Sequence, residues 1–163
     1  MQLGSLSTGH DDEAWSAPAL APAAVGALPL RGLWAHWNAA RRGGDLPGRA
    51  AIDPLALRPW LGRLLLMDVI DNGRDFRYRL HGTALVELFG ADLTGTLVSA
   101  LPVADVDRLL AEGRAAVARR DYVYIEEAAV AERRYAAISK LILPLATTGS
   151  AVDMLMVGIS RTR

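Results

Sequence analysis

Residues 75–95, DFRYRLHGTALVELFGADLTG, run from a period-two pattern through a glycine into one short helical repeat and stop at a second glycine. Phe76, Tyr78 and Leu80 alternate with Arg77, Arg79 and His81, so an extended chain sends aromatic and aliphatic groups to one face and cations to the other. Gly82 permits a sharp turn and Thr83 is placed to cap the helix that follows. Leu85, Leu88 and Phe89 give that helix its apolar stripe, and Gly90 is placed to end it in a left-handed conformation. This junction constrains the fold more tightly than it constrains a chemistry.

The flanking segments extend the pattern. Residues 1–28 carry Gly, Ser, Asp, Ala and Pro without sustained periodicity and read as a mobile tail. Residues 29–44 are helical in pattern, with Leu30, Leu33, Trp34 and Trp37 on one stripe and Gly43-Gly44 at the end. Two tryptophans on one stripe need a cover, either the helix's own domain or also a second copy of the chain. Residues 45–61 form a proline-rich connector in which Asp53-Pro54 opens one helical turn. Arg63–Ile70 is a continuous apolar run suited to a strand buried on both faces, and Asp71-Asn72-Gly73 signals a hairpin into the strand at Asp75.

A second helix places Val106, Leu109, Leu110, Gly113 and Val117 on its buried stripe and Asp107, Arg108, Arg114 and Arg119 outside. Three strands follow, Tyr122–Ala129, Arg134–Leu145 and Ala151–Ser160. The order is helix, strand, strand, two helices and three strands. No repeated strand-helix-strand unit with crossover spacing occurs, so the fold class is α+β with an antiparallel sheet.

The 163 residues suit one domain plus a tail. Eighteen basic residues balance eighteen acidic ones, giving no overall field to attract nucleic acid or anionic membrane. The absence of cysteine excludes disulfides, thiolate metal sites, cysteine nucleophiles and cysteinyl-flavin adducts. The uncharged run Ala14–Leu30 holds three prolines and lacks a basic flank before it, which fits neither a spanning helix nor a secretory signal; a cytoplasmic protein is the default expectation.

This order of elements resembles a PAS domain over about residues 60–160. More narrowly it resembles a bacterial branch of mostly stand-alone PAS proteins, through Leu46-Pro47 with Ile52-Asp53-Pro54, Arg77-Tyr78-Arg79-Leu80 with Gly82-Thr83, Asp92-Leu93-Thr94-Gly95, and Leu143-Pro144-Leu145. The resemblance implies a five-stranded antiparallel sheet with short helices and one longer helix on one face enclosing a pocket. It also implies a sensory or partner-binding role without naming a ligand, since PAS domains bind haem, flavin, small acids or nothing. Haem-binding relatives usually draw an axial histidine from the long helix. Residues 103–120 contain none, so His81 and His36 are the candidates outside the tail and haem is disfavoured.

The candidate ligand pocket comprises Phe76, Tyr78, His81, Leu88, Phe89, Tyr122, Tyr124, Tyr135, Met154 and Met156, with aromatic and core packing as the alternative for each. Arg77 and Arg79 are read as ion-pairing residues. Glu126, Glu127, Glu132, Arg133 and Arg134 are read as a charged hairpin end, and His10-Asp11-Asp12-Glu13 as a solvated stretch with no metal site. No phosphate loop, zinc spacing or nucleophile elbow is present, and the single lysine, Lys140, sits among strand residues. The expected function is a non-enzymatic sensory module acting through a small-molecule ligand, a homodimer or a signalling partner. A ligand-free docking module is the alternative, followed by a small isomerase- or hydratase-like enzyme using Tyr124 or His81.

Overall fold

Leu64–Ile70 (β1) and Asp75–His81 (β2) form the expected hairpin, with Asp71 and Asn72 at φ 47° and 58° and Gly73 at φ 99° supplying the left-handed turn. The structure, a computed structural model, describes residues 22–128 and 137–162. Before the hairpin stands α1 (Leu28–Ala39), and after it come α2 (Thr83–Phe89), α3 (Val106–Arg119), β3 (Val123–Glu127), β4 (Ile138–Leu145) and β5 (Met154–Arg161). The strands make one antiparallel sheet in the order β2-β1-β5-β4-β3, so the last strand lies at the centre beside the first.

The two faces of the sheet are covered differently. Leu65, Met67, Lys140, Ile142, Leu155 and Val157 face α3, while Leu66, Leu141, Leu143, Met154, Met156 and Gly158 alternate with them and face α1. Gly158 seats α1, because a Cβ there would lie 2.5 Å from Leu33 Cδ2. Leu30, Leu33, Trp34 and Trp37 are all buried, Trp37 completely, and its indole N–H donates to Pro144 O at 2.9 Å. The outer side of α1 is in turn packed by the connector, whose Trp60 Nε1–H donates to Pro29 O at 2.8 Å. The tryptophan stripe is therefore covered within its own chain.

Three boundaries also move. Residues 22–27 belong to the packed domain rather than the tail: Val25 is fully buried and Ala27 N–H donates to Tyr124 Oη at 3.1 Å. The first helix stops at Ala39, with no helical residue between there and Gly44. Thr83 is the first residue of α2 rather than its cap, since Gly82 holds the cap position without a side-chain bond.

Gly82 is required by contact, not by turn geometry. Its φ of −58° is open to any residue, but an added Cβ would lie 2.5 Å from Gly62 O, and that neighbour is backbone. Gly82→Ala is expected to destabilise the domain by about 1–3 kcal/mol, because main chain cannot rotate away as a side chain can. An unchanged midpoint of chemical unfolding would contradict this approach of the two segments.

Candidate functional site

A β-bulge builds the polar end of the site. Leu66 pairs with Leu80 and Met67 with Tyr78, leaving Arg79 as the extra residue on β2. Strict alternation would turn His81 outward with Arg77 and Arg79; the bulge shifts the phase, so Tyr78 and His81 both point inward and Leu80 is left 38% exposed. Arg79 stays outside and pairs with Asp68 at 3.1 Å.

Between the sheet and the helical side lies a partly open cavity of about 800 Å³. Among the described residues its apolar wall includes Leu65, Leu93, Leu101, Leu109, Ile138 and Ile159; Tyr78 and Phe89 contribute rings, and His81, Asp105, Arg108, Glu127 and Lys140 the polar groups. A cavity of about 50 Å³ lies against Phe76, Glu112 and Gly113 and shares Leu65, Tyr78, Leu109 and Lys140 with the larger one. The larger volume lies within the range that holds small organic ligands.

The His81 side chain is fully buried, its ring centroid 6.1 Å from that of Tyr78 and 5.8 Å from that of Phe89. Its Nδ1 accepts the Leu93 backbone N–H at 3.0 Å. A backbone amide only donates, so Nδ1 carries no proton and the neutral ring must carry one on Nε2. Asp92, 3.9 Å from Nδ1, would favour an imidazolium, but the Leu93 N–H already occupies that nitrogen. Burial pushes the His81 pKa below its ordinary value, and Asp92 offsets this only in part. Nε2 is buried with no hydrogen-bond partner among the described residues.

The shift fixes a pH dependence. The unfolded imidazole takes up a proton near about pH 6.5, whereas the buried one takes it up only at lower pH. Between those values the unfolded state binds more protons, so stability falls as pH drops below about 6.5. His81→Phe is expected to flatten that part of the stability curve, read by urea unfolding at successive pH values. An identical slope in both proteins would show that His81 is not held neutral.

The same cavity is lined by part of an ionic cluster, buried at its Lys140 centre, that the sequence reading missed. Lys140, which is 6% exposed, places Nζ 2.5 Å from Glu112 Oε2 and 2.6 Å from Glu127 Oε1. Arg108 reaches the same two carboxylates at 3.0 and 2.7 Å and Asp105 at 3.2 Å. The cluster ties α3 to β3 and β4. Glu127 thus turns inward rather than joining a solvated hairpin end, while Arg108, its side chain 39% exposed, folds over the cluster from the outer face expected for it. Burial alone would raise the Glu127 carboxyl, but hydrogen bonds from Lys140 and Arg108 hold it below its ordinary value. Tyr78, between cluster and histidine, is pushed up to about 12 by burial and by the charge of Glu112.

Of the pocket candidates, Tyr78, His81 and Phe89 line the larger cavity and Phe76 the smaller one. Leu88 packs against the core without lining either. Tyr122, Tyr124, Met154 and Met156 sit on the α1 side of the sheet. Tyr122 meets Trp34 edge-on at 6.2 Å, Tyr124 Oη donates to Glu126 at 2.9 Å, and Met156 is fully buried. The strand phase puts them together, but on the face opposite the cavity. Tyr135, Glu132, Arg133, Arg134 and the His10 stretch lie outside the described residues.

Neither histidine suits a haem iron. His36 Nε2–H donates to Ala51 O at 2.9 Å on the α1 side, and His81 presents a protonated nitrogen where a ligand needs a lone pair. Among the described residues no cluster of three or more His, Cys, Asp or Glu could hold a metal, and no helix is long and apolar enough to cross a membrane.

A central β5 and short helices closing a cavity over one face of an antiparallel sheet define an α+β domain with a pocket between sheet and helices. A family profile described as PAS domain matches residues 26–159, and the chain belongs to the PAS domain family. Among solved structures it is similar to the PAS domain of Bordetella pertussis BvgS, at 13% identity, 71% of this chain, 87% of that chain and a TM-score of 0.54. The PAS domain of histidine kinase ThkA matches at 14% identity, 60% and 98% coverage and a TM-score of 0.46. A sensory box sensor histidine kinase from Vibrio cholerae matches at 12% identity, 70% and 96% coverage and a TM-score of 0.47. At 13% identity the likeness to the BvgS domain is one of fold. No curated protein matches the chain in sequence.

Proposed function

We propose that the protein is a cytoplasmic, non-enzymatic PAS-type signalling module that binds a small apolar or amphipathic molecule between its sheet and helices and reports it to a partner or a second copy. The carrying observation is the cavity of about 800 Å³ between the sheet and the helices, apolar over most of its wall. A route for the signal runs through the sheet. Ile159 lines the cavity while its neighbour Gly158 receives Leu33 of α1 on the other face. Occupancy that shifts β5 alters the seat of α1, and ligand binding then selects between packings of α1 and its connector.

The test is native mass spectrometry of protein purified from its own host, compared with the denatured mass. A reproducible added mass is the expected result. A dimer of bare chains would overturn the ligand reading in favour of a docking module.

A further inference from the structure

We propose that the Tyr78 phenol anchors the ligand of this cavity, donating its O–H to a carbonyl-type oxygen on an uncharged, largely apolar molecule. This rests on the ligand-binding reading of the cavity and adds the class of ligand and its anchoring atom. Tyr78 stands where the two cavities adjoin, lining both of them together with Leu65, Leu109 and Lys140. Its hydroxyl makes no hydrogen bond among the described residues, yet it differs from Trp34 Nε1 and His81 Nε2, the unpaired polar atoms there that are sealed from water-sized probes. The residue points inward and is 6% exposed, so the surface its hydroxyl keeps opens on the cavities it lines. Burial and the charge of Glu112 push the phenol up to about 12, and it therefore holds its proton, as a donor, at any ordinary pH. Polar groups with so little access to water are almost always paired, and an acceptor arriving with a ligand supplies the missing partner.

The charge of the ligand follows from the rest of the wall, whose ionic groups already hold one another. Lys140 is bound by Glu112 and Glu127 at 2.5 and 2.6 Å, and Arg108 by Glu127, Glu112 and Asp105 at 2.7–3.2 Å. An anionic ligand would have to displace a carboxylate from a cation, and a cationic ligand would have to compete with Lys140 and Arg108. An uncharged molecule packs against Leu65, Leu93, Leu101 and Ile159, leaves the cluster intact and meets Tyr78 as a neutral donor.

The experiment uses three probes of similar size on the whole chain: acetophenone, ethylbenzene and benzoate. Affinities are read by ligand-observed NMR, and the phenol by the carbon-13 resonance of the Tyr78 ring carbon that bears the hydroxyl. Acetophenone is expected to bind about tenfold more tightly than the other two, in line with one hydrogen bond to a buried donor. It alone should move that resonance, and Tyr78→Phe, which removes a single oxygen, should abolish its preference over ethylbenzene while leaving ethylbenzene bound as before. Equal binding of acetophenone and ethylbenzene with a still resonance would overturn the anchor, leaving the hydroxyl to water and the cavity as an apolar ligand site. A preference for acetophenone that survives Tyr78→Phe would overturn it in favour of another donor of the wall. Benzoate binding most tightly would overturn the ligand class in favour of an anion site. Binding by none of the three at millimolar concentration would remove the proposal together with the ligand-binding reading. Should Tyr78→Phe fail to fold, the resonance and the affinity order in the unaltered protein decide.

Discussion

Trp37→Ala is expected to lower the unfolding free energy by about 4 kcal/mol, the largest loss anticipated for a single side chain of α1. Trp37 has no exposed surface, its indole N–H bonds to Pro144 O at 2.9 Å, and the Arg41 guanidinium stands 4.9 Å from its ring centroid. Truncation therefore removes a large apolar surface from the middle of the α1–sheet contact, leaves a cavity there and deprives a buried carbonyl of its donor. Trp37→Phe keeps most of the volume but not the donor, so a smaller loss is expected. The readout is the urea midpoint with the slope unchanged, alongside molecular mass by light scattering. A midpoint close to that of the parent, with a loss of dimer mass, would mean that the helix serves an interface between copies rather than its own sheet. The structure predicts the opposite pattern, in which stability falls and the mass of the folded protein does not change.

That contrast marks where sequence reasoning reaches its limit in this chain. Local signals carried the fold well. The Asp71-Asn72-Gly73 turn, the Leu85/Leu88/Phe89 stripe closed by Gly90 at φ 77°, and the α3 stripe through Leu110 and Gly113 each occur where propensity and period place them. The element order follows, and with it the antiparallel sheet. Period alone, however, groups residues by face without saying which face meets what. Tyr122, Tyr124, Met154 and Met156 do share a side, but α1 covers that side, and no feature of the strands announces this. The stripe of α1 tells only that a cover exists.

His81 illustrates a different limit. An alternating pattern assigns it to the outer, cationic face, and the bulge at Arg79 reverses it by shifting the register in which β2 pairs with β1. A faint signal was available in Leu80, an apolar residue beside polar ones at the strand end. The ionic cluster was more legible than that. Lys140 is a lone charge in the run ISKLILPL, and Arg108 and Glu112 sit four residues apart on one helix. A buried cation requires carboxylates, and these were the nearest charges on elements able to reach it.

Lys140→Met is expected to destabilise the domain by about 3–5 kcal/mol, although methionine nearly matches the volume of the lysine stem and is the more apolar side chain. The reason lies in what remains. With Nζ gone, Glu112 and Glu127 share the Arg108 guanidinium among the described residues, and both carboxylates lie in a region from which water is largely excluded. The attraction lost is large because both carboxylates stay in place, so the deficit is one of lost charge pairing rather than packing. Adding Glu127→Leu to Lys140→Met removes one of the two carboxylates that lost Lys140, and the double variant is expected to recover part of the loss. A coupling near zero between the two substitutions would show that the residues do not interact in solution. The pH dependence gives an independent check. In the parent, the lowered pKa of Glu127 contributes stability above its ordinary value of 4.5 that is lost as pH falls through the folded value. In Lys140→Met that lowering is reduced, so less stability is lost on acidification and the gap between variant and parent should narrow from pH 7 toward about pH 4. A gap that stays constant would assign the destabilisation to packing rather than to the charges of the cluster.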